Sequence, residues 1–306
     1  MTPFTTLKRR LDEGEIVLLD GAMGTEVQRR GVRTALPLWS ASALMTHPEV
    51  IEQIHRDYID AGADIITTNT FRTNRRALSL AHQGNKVGEY NRIACELAKV
   101  ARESSSRKDV AIGGCIAPLE DCYEPDRVPD DAALAKEHAE LANLLAKNGV
   151  DFIFAETMNC IREATAVLCA GKKIGLPVAV SFLCRDGEHI LSGEKIIDAI
   201  DACAEFDPFV ICANCRPLQT IDKCISTFLE NSTIPIGVYA NGLGHPHDDQ
   251  GWLFEGGDAV EEYIAHAKKW LEQGVQLIGG CCGTTPKYIA LLSETLRKNT
   301  PVIITS

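Results

Sequence analysis

Near its end the chain carries two adjacent cysteines between glycines, in the run Leu277-Ile278-Gly279-Gly280-Cys281-Cys282-Gly283-Thr284-Thr285-Pro286. Thiolates hold soft metal ions such as zinc, and paired cysteines are a natural start for such a site. In an extended strand neighbouring side chains point to opposite faces, so Cys281 and Cys282 could not grip one ion there. Flanking glycines open backbone conformations closed to other residues, and a tight turn would aim both sulfurs inward. Thr285 and Pro286 read as the N-cap and first residue of a following helix. The plainer alternative is a pair of cysteines packed as small hydrophobes in a core turn.

The choice depends on the elements that carry these residues. Short runs rich in Val and Ile alternate with longer stretches of helical period. The runs fall at 16–19, 64–68, 110–113, 152–155, 177–182, 209–212, 236–239 and 275–278. A helix is expected from Pro48 to Ala61, with Val50, Ile51, Ile54, Tyr58 and Ile59 as one apolar stripe and Gly62 as its stop. A long helical region follows the second run as far as Ser104, with a break around Gly84 and Gly88. Leu134, His138, Leu141 and Leu145 recur at helical spacing after the third. Phe4, Leu7 and Leu11 make a short amphipathic helix at the N-terminus, expected to cover one end of the fold.

Eight β-then-α units predict a parallel sheet closed into a single-domain (β/α)8 TIM barrel over residues 1–306. An open doubly wound sheet fits less well, because Gly21, Gly24 and Gly31 lack the spacing of a dinucleotide fingerprint. In a barrel the chemistry lies at the C-terminal strand ends. That rule gathers Asp20 from strand 1, Thr68 from strand 2, Cys115 from strand 3, and Glu156 with Thr157 from strand 4. Strand 6 adds Asn214 and Cys215, strand 7 Asn241, and strand 8 Cys281 with Cys282.

Strands 6 and 8 are alternate strands whose inward residues share a layer, so Cys215, Cys281 and Cys282 are a candidate three-thiolate zinc site. Cys115 and Cys184, also near strand ends, compete for the role. Three protein thiolates would leave one position open for a thiol substrate, which a metal deprotonates. If that thiol belongs to an amino acid, Asp20 and Glu156 are candidate partners for its ammonium group. Thr157 and backbone N–H groups are candidate donors to its carboxylate.

Composition excludes other classes. A net charge of -11 leaves no basic stripe for nucleic acid. No apolar run is long enough to span a bilayer, so no membrane partner is expected. Residues 1–15 are charged and lack the apolar core of a signal peptide. Twelve cysteines without a secretory signal point to free thiols in a reducing compartment, hence a cytoplasmic protein. A monomer or small homo-oligomer acting on small molecules is expected.

The motifs then resemble one family, the homocysteine S-methyltransferases. The matches are DGAMGT at 20–25, TNTF at 68–71, GGCIAP at 113–118, AET at 155–157, SF and DG within 181–187, NC at 214–215 and GGCCG at 279–283. They keep the family's order across nearly the whole chain. The resemblance implies a zinc-dependent barrel in which Cys215, Cys281 and Cys282 bind the metal. It implies that Asp20 and Glu156 hold the amino group of homocysteine, whose sulfur takes a methyl group by in-line displacement to give methionine. Three positions depart from the family pattern. Cys212 stands where Gly is usual, Gly114-Cys115 replaces Gly-Ser, and Ala240-Asn241 replaces Pro-Asn.

No folate, cobalamin or C-terminal module accompanies the barrel within these residues, which favours a directly bound donor, a sulfonium such as S-methylmethionine. Trp39, Phe71, Tyr123 and Tyr239 offer aromatic faces to such a cation. The alternatives are betaine, another methylated osmolyte or a corrinoid protein as donor, or another thiol as acceptor. A non-catalytic zinc-binding barrel and a thiol-redox protein stand outside this class.

Overall fold

In the computed structural model, which describes residues 1–247, 251–254 and 259–299, eight short parallel strands close on themselves. They are β1 (Val17–Leu18), β2 (Ile65–Thr67), β3 (Ala111–Ile116), β4 (Phe152–Met158), β5 (Val178–Phe182), β6 (Val210–Asn214) and β7 (Ile236–Tyr239). A small antiparallel pair, β8 (His245–His247) with β9 (Gly251–Leu253), precedes the last barrel strand, β10 (Leu277–Ile278). The sheet runs β1-β10-β7-β6-β5-β4-β3-β2, and a parallel bridge between Leu19 and Ile65 joins its two ends. The structure is therefore the (β/α)8 barrel that the alternating runs predict, and the open doubly wound sheet is excluded.

Strand alternation sorts the core into two parts, as a closed sheet requires. Leu18, Ile66, Ile112, Ile153, Val180, Ile211, Val238 and Ile278 face outward and pack with the helices. Val17, Ile65, Ala111, Phe152, Phe154, Ala179, Val210, Cys212, Tyr239 and Leu277 fill the barrel interior. The N-terminal helix Pro3–Asp12 lies across the strands' N-terminal ends and sends Leu7 and Leu11 into that interior cluster. Phe4 meets the Phe209 ring edge-on at 5.1 Å. The plug expected from Phe4, Leu7 and Leu11 is thus at the bottom of the barrel, which leaves the opposite end for chemistry.

The helix Pro48–Ala61 has the expected bounds, and it buries Ile51, Ile54, His55, Tyr58 and Ile59. The long helical region breaks where Gly84 suggests: helix Arg75–Leu80, a 3-10 turn Gly84–Lys86, then helix Val87–Ser104, which runs straight through Gly88. Helix Pro286–Asn299 begins at the proline that follows Thr285. Among the described residues no helix is long and apolar enough to cross a membrane.

Candidate metal centre and substrate pocket

The C-terminal strand ends surround a cavity of about 200 Å³. Its lining includes Asp20, Thr68, Glu156, Thr157, Cys215, Cys281 and Cys282. The Sγ atoms of Cys215, Cys281 and Cys282 all lie within 4.8 Å of one another, with Cys215 buried and the other two half-buried at the cavity wall. Of the competing thiols, Cys115 is buried beside Glu156, whose carboxylate it approaches. Cys184 is buried against Cys224, away from the cluster. Geometry thus selects one trio from twelve free thiols.

Backbone geometry explains how a Cys-Cys pair converges. Past β10 the chain leaves the strand: Gly280 N donates to Asp20 O at 3.0 Å and Cys281 N to Ala240 O at 2.8 Å. The Cys281 carbonyl then accepts from Thr284 N at 3.1 Å and from Thr284 Oγ1 at 2.7 Å, which closes a turn around the pair. A Cβ on Gly280 would stand 2.4 Å from Thr284 Oγ1, and Gly283 has a φ of 80°, so both flanking glycines are required by this turn. Cys215 itself adopts a φ of 52° one residue beyond β6. A left-handed non-glycine residue is uncommon, and such strain gathers at functional sites.

The donor set fits zinc. Tetrahedral zinc at about 2.3 Å from sulfur separates its thiolates by about 3.8 Å, a spacing compatible with three Sγ atoms that all lie within 4.8 Å of one another. Three thiols alone share negative charge badly. Hydrogen bonds from Cys281 and Cys282 push the Cys215 thiol down, while their contacts with Cys215, together with burial, hold Cys281 and Cys282 high, the bond between the two raising Cys281 and lowering Cys282. A divalent cation among them would let all three ionise.

Across the cavity the two carboxylates occupy strand ends. Asp20 is buried, and its Oδ2 accepts from Thr67 N at 2.8 Å. Burial raises its pKa well above the carboxylate range, the Thr67 N–H opposes this, and the charge of Glu156 adds to it. Glu156 follows Phe152 and Phe154 in the alternation of β4 and so points into the barrel. Burial pushes it up to about 7 against the hydrogen bonds of Cys115 and Tyr239. Both groups are short of a positive partner, a condition that an ammonium group relieves.

Beyond Glu156 the register of β4 slips against β5, since Ala155 pairs with Val180 but Met158 with Phe182. The extra residue is Thr157 or its neighbour, and Thr157 takes a φ of 62°, rare for a β-branched residue. Its N–H donates to Ser181 Oγ at 2.9 Å, and Asn214 Nδ2 donates to its Oγ1 at 2.9 Å. Ser181 in turn meets the Tyr239 hydroxyl. Asn214 is fully buried behind Thr157 and does not line the cavity. Thr68 lines it, with its Oγ1 on Thr70 Oγ1 at 2.8 Å. Asn241 is buried outside the lining, its N–H on Arg216 O at 3.0 Å. Trp39, Phe71, Tyr123 and Tyr239 all line the cavity.

Sequence reasoning missed two parts of the wall. Pro246 and Trp252 of the β8–β9 pair line the cavity, held by Gln28 through Trp252 N at 3.0 Å and Trp252 O at 2.8 Å. The loop after β3 brings Cys122 and the carboxylate of Asp121, the ion-pair partner of Arg72, to the cavity. Cys212, a departure from the family pattern, faces the interior, its Sγ 2.5 Å from where a Cβ on Gly237 would stand.

A closed barrel with a three-thiol cluster facing two carboxylates defines a metal-dependent, thiol-handling barrel enzyme class. Residues 17–296 match the family described as Homocysteine S-methyltransferase, and the chain belongs to that family. It is 33% identical to Homocysteine S-methyltransferase YbgG of Bacillus subtilis (strain 168), over 94% of this chain and 96% of that protein. It is 29% identical to the selenocysteine Se-methyltransferase of Brassica oleracea var. italica, over 96% and 92% of the two chains. The metallated form of the homocysteine methyltransferase MmuM from Escherichia coli superposes with a TM-score of 0.82 at 26% identity, covering 96% of this chain and 100% of that one.

Proposed function

We propose that this chain is a zinc-dependent S-methyltransferase that moves a methyl group from an activated donor to the thiol of L-homocysteine, giving methionine. A sulfonium such as S-methylmethionine is the donor this reading favours. One observation carries it: three Sγ atoms within 4.8 Å of one another stand in the same small cavity as two uncompensated carboxylates. Cys215, Cys281 and Cys282 would hold the zinc, which when bound supplies Lewis-acid lowering of a thiol's pKa.

The remaining work falls to the chain's own side chains. Asp20 and Glu156 accept from the substrate ammonium, whose charge favours ionisation of both. Thr157, fixed by Ser181 and Asn214, and Thr68 offer hydroxyls near the strand ends for the substrate's polar groups. The reaction joins sulfur to the methyl carbon as the donor sulfur leaves with its electron pair, so it requires alignment and no general base. Holding two reactants in line inside a small cavity is worth a large part of the acceleration. Zinc-loaded protein is to be assayed with a panel of thiols crossed with S-methylmethionine, S-adenosylmethionine and betaine. Methionine formed from homocysteine and S-methylmethionine is the expected result, and no methionine from homocysteine with any of these donors overturns the reading.

A further inference from the structure

Arg72 and Asp121 face each other at the rim of the cavity, each five residues beyond the end of its strand, β2 or β3. Along the chain they lie farther past their strands than Asp20, two residues past β1, or Glu156, within β4. Arg72 is the one lysine or arginine in the described lining, which also carries His247, the carboxylates of Asp20, Glu156 and Asp121, and the thiols. Its ion pair with Asp121 is loose, Nη2 to Oδ2 being 3.6 Å, and its Nη1 reaches the Glu120 carbonyl only at 3.4 Å. A guanidinium has five donors in a planar fork suited to a carboxylate, so most of this capacity is unspent. Asp121 is anchored by accepting from Tyr123 N at 2.8 Å through Oδ1, which leaves Oδ2 toward Arg72.

We propose that Arg72 and Asp121 form a clamp for the amino-acid end of the methyl donor, Arg72 taking its carboxylate and Asp121 its ammonium group. The inference rests on the methyltransferase reading and assigns two residues to the donor which that reading favours, a zwitterionic α-amino acid with the methylated onium centre at the other end of its side chain. Asp20 and Glu156 are assigned to the acceptor's ammonium group, which leaves Arg72 and Asp121 as the charged pair in the lining for a second amino acid. The loose pair opens at small cost, since each partner exchanges one long contact for a charge-assisted hydrogen bond. Phe71, beside Arg72, and Trp39 line the same cavity and offer ring faces to the onium charge. Donors with a carboxylate alone satisfy half of the clamp, and donors with neither group satisfy none.

Binding is to be measured by calorimetry on the full chain without homocysteine, so that it is read independently of turnover. The ligands are S-methylmethionine, dimethylsulfoniopropionate, which lacks the ammonium group, and trimethylsulfonium, which lacks both. The wild type is expected to bind them in that order of decreasing affinity. Arg72→Met weakens S-methylmethionine and dimethylsulfoniopropionate by about tenfold or more and leaves trimethylsulfonium alone. Asp121→Asn weakens S-methylmethionine only, and Arg72→Lys, which keeps the charge and guards against a folding defect, falls between wild type and Arg72→Met. Homocysteine affinity stays within about twofold in all of them, as expected for separate sites. Unchanged S-methylmethionine binding in Arg72→Met, or an equal loss of homocysteine affinity, overturns the clamp. Failure of the methyltransferase reading would appear differently, as donor binding intact with no methyl transfer to homocysteine.

Discussion

The Tyr123 hydroxyl lies 3.3 Å from Cys215 Sγ, so a residue of the irregular loop after β3 reaches the thiol at the end of β6. A phenol donating to a thiolate spreads that sulfur's charge and fixes its direction, and groups that orient a ligand in this way tune metal affinity. Tyr123→Phe keeps the ring packing and removes the donor. Zinc affinity, measured by competition with a chromophoric chelator, is expected to fall about tenfold. Thermal stability of the metal-free protein should change little, because the Cys215 thiol keeps its contacts with Cys281 and Cys282. Unchanged zinc affinity would reduce the contact to packing.

The trio also separates ligands from bystanders among the buried thiols. Cys282→Ala leaves two sulfurs where tetrahedral coordination needs three from the protein, and stoichiometric zinc is expected to be lost on gel filtration. Cys115→Ala removes a thiol that meets Glu156 outside the cluster, and Cys184→Ala one that meets Cys224, so both variants should retain about one equivalent. Elemental analysis of the three proteins decides the matter. Retention in Cys282→Ala, or loss in Cys115→Ala, contradicts the ligand set.

How far these residues could be read from sequence follows from how locally each is determined. Asp20, Glu156, Cys215 and the Cys281–Cys282 pair end short apolar runs, and strand alternation with barrel closure carries them to one place. Phe152, Phe154 and Glu156 share a face simply because a strand has period two. The trio could not be separated from Cys115 or Cys184 by the strand rule alone, because all five sit near strand ends. The turn made by Thr284 and the left-handed backbone of Cys215 decide that, and neither is a pattern in composition. Tyr123 was legible as an aromatic face but not as the neighbour of Cys215, and the β8–β9 pair stayed hidden because distant residues place it. Gln28 holds Trp252 from 224 positions away, and the 245–253 stretch has no alternation to mark it. Asn214 was legible as a site residue, but its role behind Thr157 depends on a bulge in β4 that only the register discloses.

Glu156 sets function against stability in a way that pH exposes. Burial raises its pKa from the usual 4.5 to about 7, so between those values the folded chain binds more protons than the unfolded one. Stability therefore falls as pH rises through this window and carries the full cost above it, the reverse of a salt-bridged carboxylate. Glu156→Gln removes the cost, and because the Glu156 charge also raises Asp20, the change acts in the same direction on both groups. The metal-free variant is expected to exceed wild type by less than about 1 kcal/mol at pH 5, near the start of this window, and by on the order of 1–3 kcal/mol at pH 8, a shift of several degrees in Tm. Binding runs the other way. The ammonium of homocysteine needs the carboxylate, so wild-type affinity should drop as pH falls below about 7. The variant should bind homocysteine at least about tenfold more weakly at pH 8, with a flatter dependence on pH. Thermal unfolding and homocysteine titration at pH 5 and pH 8 measure both arms. A variant destabilised at pH 8 would show that Glu156 is compensated by a partner in the resting protein, and its place as an uncompensated receptor for the substrate ammonium would fall with that result.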